Sequence, residues 1–242
     1  MYKKVKLIIG VFLILALVFA TGCENNDTAS TSDEGSKFPT SDKIIESKNS
    51  TGMCYNINLE DFTEKVNEFY LHNFNVKGPC VNEEGKENQP LSVDSWETVG
   101  EKSQKDGDIE ITYYTQMAGK SQLLIEVDDS SENIISVVAE TTNLIWQNDA
   151  NEVSKLATIC SIVAGGYSAS DYKFFKKLYN TSISGNCYYD NAIYKIIGDD
   201  SESEDDMVIK LMSIPCTTDA IKDTEYTDYK QYKENKLDFG KH

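Results

Sequence analysis

The chain has 242 residues, with 23 basic residues against 40 acidic ones and a formal charge of −17. Every basic residue is Lys, so no Arg is present to clamp phosphate or carboxylate in bidentate fashion. A surface this negative, with no basic stripe, repels nucleic acid and excludes it as a partner.

The chain opens on a short positive segment, Met1-Tyr2-Lys3-Lys4-Val5-Lys6. An uncharged apolar run follows from Leu7 to Ala20 and closes on Thr21-Gly22-Cys23. This is the order of a secretory signal. The run is shorter than the about 20 apolar residues that a bilayer-spanning helix needs. Ala20-Thr21-Gly22-Cys23 resembles the lipobox of bacterial lipoproteins, with Ala20 in place of the usual Leu. The resemblance covers the leader alone. It implies a diacylglyceryl group on the Cys23 sulfur, removal of residues 1–22, and an anchor on the outer face of a bacterial cell membrane. Two acyl chains give stable anchoring where one gives only reversible binding. Lys3, Lys4 and Lys6 leave with the leader, so the mature balance becomes 20 Lys against 40 acidic residues, or −20. No cofactor other than this lipid is expected.

Residues 23–52 are rich in Ser, Thr, Asp, Asn and Lys, with Ile44-Ile45 as the one apolar pair between Glu24 and Gly52. Such a stretch buries too little to offset its ordering entropy, and it reads as a disordered tether. Residues 53–216 read as an α+β domain, with possible halves 53–142 and 143–216, and residues 217–242 as a polar tail.

Within the domain, Asn58 caps a helix that runs to about Asn73. Leu59, Phe62, Val66, Phe69 and Tyr70 form its apolar face. Val76 to Asp108 is broken by Gly78-Pro79, Glu83-Glu84-Gly85 and Gln89-Pro90, with a short strand expected around Ser95 to Val99. The period then changes to two. Ile109, Ile111, Tyr113, Thr115 and Met117 share a face, as do Leu123, Ile125 and Val127, and then Ile135, Val137 and Ala139. This is an antiparallel meander whose apolar face the helix can cover. Asn148 or Asp149 opens a second helix, which Gly165-Gly166 ends. Ser168 caps a third, with Asp171 at the capping-box position. A hairpin follows, Ala192 to Ile197 and Met207 to Ile214, around an acidic tip from Asp199 to Asp206. The whole predicts an antiparallel sheet, meander plus hairpin, covered by about three helices. Two α/β lobes are the alternative arrangement.

Candidate chemistry is sparse. His72 and His242 are the only histidines, and no H-E-x-x-H, G-x-S-x-G or P-loop pattern occurs. Ser170-Asp171-Tyr172-Lys173 has the S-x-x-K spacing of penicillin-interacting enzymes, but with 22 serines and 23 lysines that spacing also arises by chance. Asp199, Asp200, Glu202, Glu204, Asp205 and Asp206 offer the hard oxygens that Ca²⁺ takes, without the Gly and spacing of an EF-hand loop. Cys54, Cys80, Cys160, Cys187 and Cys216 remain after Cys23 is lipidated, an odd number that allows at most two disulfides and leaves their pairing open. Tyr is abundant, and strand alternation places Tyr113 inward and Tyr114 outward. Tyr114, Tyr188 and Tyr189 are therefore the candidate recognition residues of an open sheet face.

The expected function is a non-catalytic binding module of the cell envelope, held to the membrane by lipid and engaging an envelope protein or peptide. A small-solute receptor is the alternative. An envelope hydrolase or inhibitor ranks below both, because the catalytic motifs are missing.

Overall fold

A computed structural model describes residues 44–47, 52–82, 85–103, 110–182, 186–199, 207–217 and 226–228. Three α-helices lie among them: α1 (Leu59–Phe74), α2 (Asn143–Ala164) and α3 (Tyr172–Ser182). The strands are β1 (Ile44–Glu46), β2 (Met53–Tyr55), β3 (Cys80–Val81), β4 (Asn88–Gln89), β5 (Glu97–Ser103) and β6 (Glu110–Ala118), then β7 (Ser121–Asp128), β8 (Asn133–Thr142), β9 (Asn186–Tyr189), β10 (Ala192–Asp199), β11 (Val208–Pro215) and β12 (Tyr226–Asp228). The fold is α+β. Ten strands form one sheet in the order β12-β9-β10-β11-β8-β7-β6-β5, with β1 and β2 attached beside β8. All its pairs are antiparallel except β12 with β9.

The two expected halves share this sheet. Each meander, β5 to β8 and β9 to β11, ends on a central strand, and those last strands pair with one another. Helices cover one face. On that face β7 contributes Leu123, Ile125 and Val127, as its alternation predicts, and β11 contributes Ile209, Leu211 and Ser213, all buried. The rear part of α2 is buried on every side, from Leu156 to Ala164, because it lies between the sheet and the other two helices. Some of the polar groups inside this layer are paired locally. Ser161 Oγ donates to the Ala157 carbonyl at 2.8 Å and lies 2.7 Å from Tyr179 Oη. Tyr55 and Ser213 share a hydroxyl–hydroxyl hydrogen bond across the core.

Several local expectations match. Asn58 Oδ1 accepts from the Asp61 amide at 2.8 Å, which fixes the start of α1. Ser168 and Asp171 form a reciprocal capping box ahead of α3. Others are corrected. The second helix begins at Asn143 under a Thr142 cap, and Asp149, expected as its start, is instead a break in its backbone (φ −131°, ψ 25°). The sheet begins inside the stretch assigned to the tether, since Ile44, Ile45 and Glu46 pair with Tyr55, Cys54 and Met53. Tyr226–Asp228, assigned to the polar tail, forms an edge strand.

The largest correction concerns β6. Its register sets Tyr114 opposite Ile125 and Tyr113 opposite Glu126. Ile125 belongs to the helix-covered face, so Tyr114 points inward and Tyr113 outward, the reverse of the expectation. Met117, on Tyr113's side, is 58% exposed. A bulge between β7 and β8 at Glu126/Val127 moves Ile135 to this second face, where it packs with Ile111 and Tyr113. Ile109 lies outside the described residues.

The hydroxyls of Tyr194, Ser136 and Thr158 are buried without a hydrogen-bond partner among the described residues. Tyr194→Phe removes such a group and keeps the ring, so it is expected to leave stability unchanged or raise it by up to about 1 kcal/mol. A urea unfolding midpoint that falls clearly in this variant would show that the hydroxyl is satisfied in solution.

Candidate functional site

Three surfaces carry the residues in question. The first is a cleft of about 400 Å³ between α1 and the corner that joins α2 to α3. One wall is the α1 stripe Lys65, Glu68, Phe69, His72 and Asn73, which share a side because their spacing follows the helical repeat. Ile162 and Val163 from the end of α2 and Tyr167 from the corner form the other. The Gly165-Gly166 pair makes that corner possible. Gly166 adopts φ +66°, and a Cβ on Gly165 would run into the Tyr167 ring. Tyr167 therefore folds back on the helix end, its amide donating to the Ile162 carbonyl at 2.9 Å. Its ring packs 4.6 Å from Phe175, and its hydroxyl donates to Asp190 Oδ2 at 2.8 Å. Burial and the neighbouring Asp190 carboxylate push the Tyr167 phenol up, so it remains a neutral donor. The cleft thus has a largely apolar wall, in which Tyr167 is held by its contacts with Phe175 and Asp190, facing a stripe of ionisable side chains.

The second surface is the sheet face opposite the helices. Register aligns Thr115, Leu124, Val138, Met212 and Lys195 in one row across five strands. Tyr188, Ile193 and Ile214 align in another. Leu124, Met212, Ile214 and Tyr188 are half-buried, whereas Val138 and Ile193 are buried.

The third is a buried polar node where β1 and β2 meet the β7–β8 turn. The Asp128 carboxylate accepts from Ser47 Oγ at 2.9 Å, from the Ser130 amide at 3.0 Å and from Ser130 Oγ at 2.6 Å. The Cys54 thiol lies among Ser47, Asn133 and Ser131, beside Asp128. Burial raises that thiol, so it is a protonated packing group and not an activated nucleophile. Burial likewise pushes Cys80, Cys187 and Cys216 up to about 11, and Cys160 higher still. None of the five is in a disulfide.

The described residues singled out by sequence do not assemble into one site. Tyr114 and Tyr189 project to the helix side, where Tyr189 packs 4.7 Å from Phe174. Tyr188 alone lies on the opposite face, its hydroxyl donating to Asn191 Oδ1 at 3.0 Å. Asp199 ends β10, while Asp200, Glu202, Glu204, Asp205, Asp206 and Cys23 lie outside the described residues. Among the described residues no group of three or more His, Cys, Asp or Glu is placed to hold a metal. No described helix is long and apolar enough to cross a membrane. Ser170 Oγ donates to Ser168 Oγ at 2.9 Å within the cap of α3.

The cleft escaped the sequence reading because its walls lie far apart in the chain. A charged stripe on an amphipathic helix ordinarily means a solvated face. Comparison with protein-family models, with curated proteins and with solved structures finds no match.

Proposed function

We propose that this chain is a lipid-anchored protein of the outer face of a bacterial cell membrane whose α+β domain works as a non-catalytic binding module for an envelope protein or peptide. The observation that carries the reading is the second sheet face. The described helices cover one side of the sheet, while the other carries half-buried Leu124 and Met212 on either side of buried Val138 in one cross-strand row, and half-buried Tyr188 and Ile214 on either side of buried Ile193 in another. A continuous apolar row of this kind on a β-surface is what a partner's side chains can bury against. The tying of Ser170 into a helix cap and the burial-raised thiols support the non-catalytic part. The Lys-rich start, the apolar run and Cys23 support the anchor.

Two experiments test this. A photo-crosslinking side chain at Leu124 of the full chain, in intact cells, is expected to capture one saturable partner that Met212→Lys loses. The same probe at Glu60 on α1 is expected to capture none. Equal capture at both positions, or capture that Met212→Lys leaves intact, would count against the sheet face. For the anchor, Cys23→Ser is expected to leave an uncut precursor without lipid, read by intact mass and detergent partition. Normal maturation of that variant would refute the lipobox reading.

A second reading, a small-solute receptor, is favoured by the α1 cleft, whose volume lies within the usual range of ligand pockets.

A further inference from the structure

We propose that the cleft between α1 and the α2–α3 corner binds a small zwitterion with an aromatic side group, of the free α-amino-acid class. The inference rests on the receptor reading and is independent of any partner on the sheet face.

Two features select this class. Phe69, Ile162, Val163 and the Tyr167 ring make an apolar bed, with Tyr167 held by its bond to Asp190. Such a bed takes a flat side group by burial and offset ring contact. Beside Phe69 on α1, Lys65, Glu68 and His72 stand in one line, all exposed. The helical rise sets Lys65 and Glu68 about 4.5 Å apart along the axis, and Glu68 and His72 about 6 Å apart. Lys and Glu at this spacing ordinarily pair with each other. Here, among the described residues, none of the three side chains has an ion pair or hydrogen bond, whereas Lys77, Lys120 and Lys155 pair with Glu87, Asp149 and Glu152.

Opposite charges left open side by side match a ligand that carries both. Its carboxylate reaches Lys65, its ammonium reaches Glu68, and its side group lies on Phe69 and Tyr167. A simple anion meets Glu68 and the −17 charge of the chain. A simple cation meets Lys65. Only the zwitterion satisfies both groups, and charge placement therefore gives selectivity more than raw affinity.

The test is calorimetric titration of the full-length protein with L-tryptophan, tryptamine and indole-3-propionate, which share a ring and differ in charge. Tryptophan is expected to saturate one site, with either analogue at least tenfold weaker. Lys65→Ala should erase the preference over tryptamine, and Glu68→Gln the preference over indole-3-propionate. Ala169 lines the cleft and is exposed, so Ala169→Trp should fill the cleft and abolish binding with an unchanged melting temperature. Equal binding of all three probes, no saturable binding, or tryptophan binding that survives Ala169→Trp would overturn the proposal. A melting-temperature rise with a solute of another class, lost in Ala169→Trp, would spare the receptor reading and sink this ligand.

Discussion

Phe175→Ala is expected to destabilise the domain by about 3–5 kcal/mol, the range for an aromatic removed from a core. Phe175 is fully buried at the centre of the aromatic cluster on α3. Its ring lies 4.6 Å from Tyr167, 5.5 Å from Phe174, 5.6 Å from Tyr194 and 6.2 Å from Tyr189. Those four rings come from the α2–α3 corner, from α3 itself and from two strands. They cannot all close on the space left by one side chain, and a void adds to the lost transfer energy. Total stabilities of single domains are about 5–15 kcal/mol, so this variant sits near the threshold of folding. Urea unfolding followed by tyrosine fluorescence reads the effect. A loss below about 1 kcal/mol would mean that the cluster is loosely packed in solution. The same removal loosens the wall of the α1 cleft, because Phe175 backs Tyr167.

The elements that could be read in the sequence are those whose signals are local. Asn58 with an apolar stripe at helical spacing announces α1, Gly165-Gly166 ends α2, and Ser168 with Asp171 opens α3. Leu123, Ile125 and Val127 alternate with more polar neighbours, so β7 declares its own inner face. β6 does not. Ile111, Tyr113 and Thr115 on one side and Thr112, Tyr114 and Gln116 on the other have similar amphipathic character. Only pairing with β7, which sets Tyr114 against Ile125, decides which side is buried. The break at Asp149 was visible as a polar run, Gln147-Asn148-Asp149, but a run of that kind marks a start or a kink equally well. β1 and β12 are three-residue strands set in polar sequence: the Ile44-Ile45 pair is too short a signal to stand out from its surroundings, and β12 is placed only by its parallel pairing with the distant β9.

The node at Asp128 joins stability to pH and has a sign that can be stated in advance. Asp128 is 1% exposed and fastens the β7–β8 turn to the segment after β1 through Ser47. Burial alone would raise its carboxyl. The hydrogen bonds from Ser130 and Ser47 outweigh that effect and hold it below the ordinary carboxylate range. An unfolded Asp titrates near about 3.9. A group depressed in the folded state contributes its full stability above the unfolded value and loses it as pH falls through the folded one. Asp128→Asn keeps the shape, removes the charge and replaces an acceptor oxygen with a donor nitrogen. At pH 7 it is expected to cost about 1.5–3 kcal/mol, the range for hydrogen bonds to a charged group. Below about pH 4 the unfolded chain takes up a proton at Asp128 while the folded carboxylate is still ionised, so the wild type loses stability that the Asn variant never had and the gap between the two proteins should narrow. Urea midpoints at pH 7 and pH 3 measure both values. A gap equally wide at both would mean that Asp128 acts through shape alone.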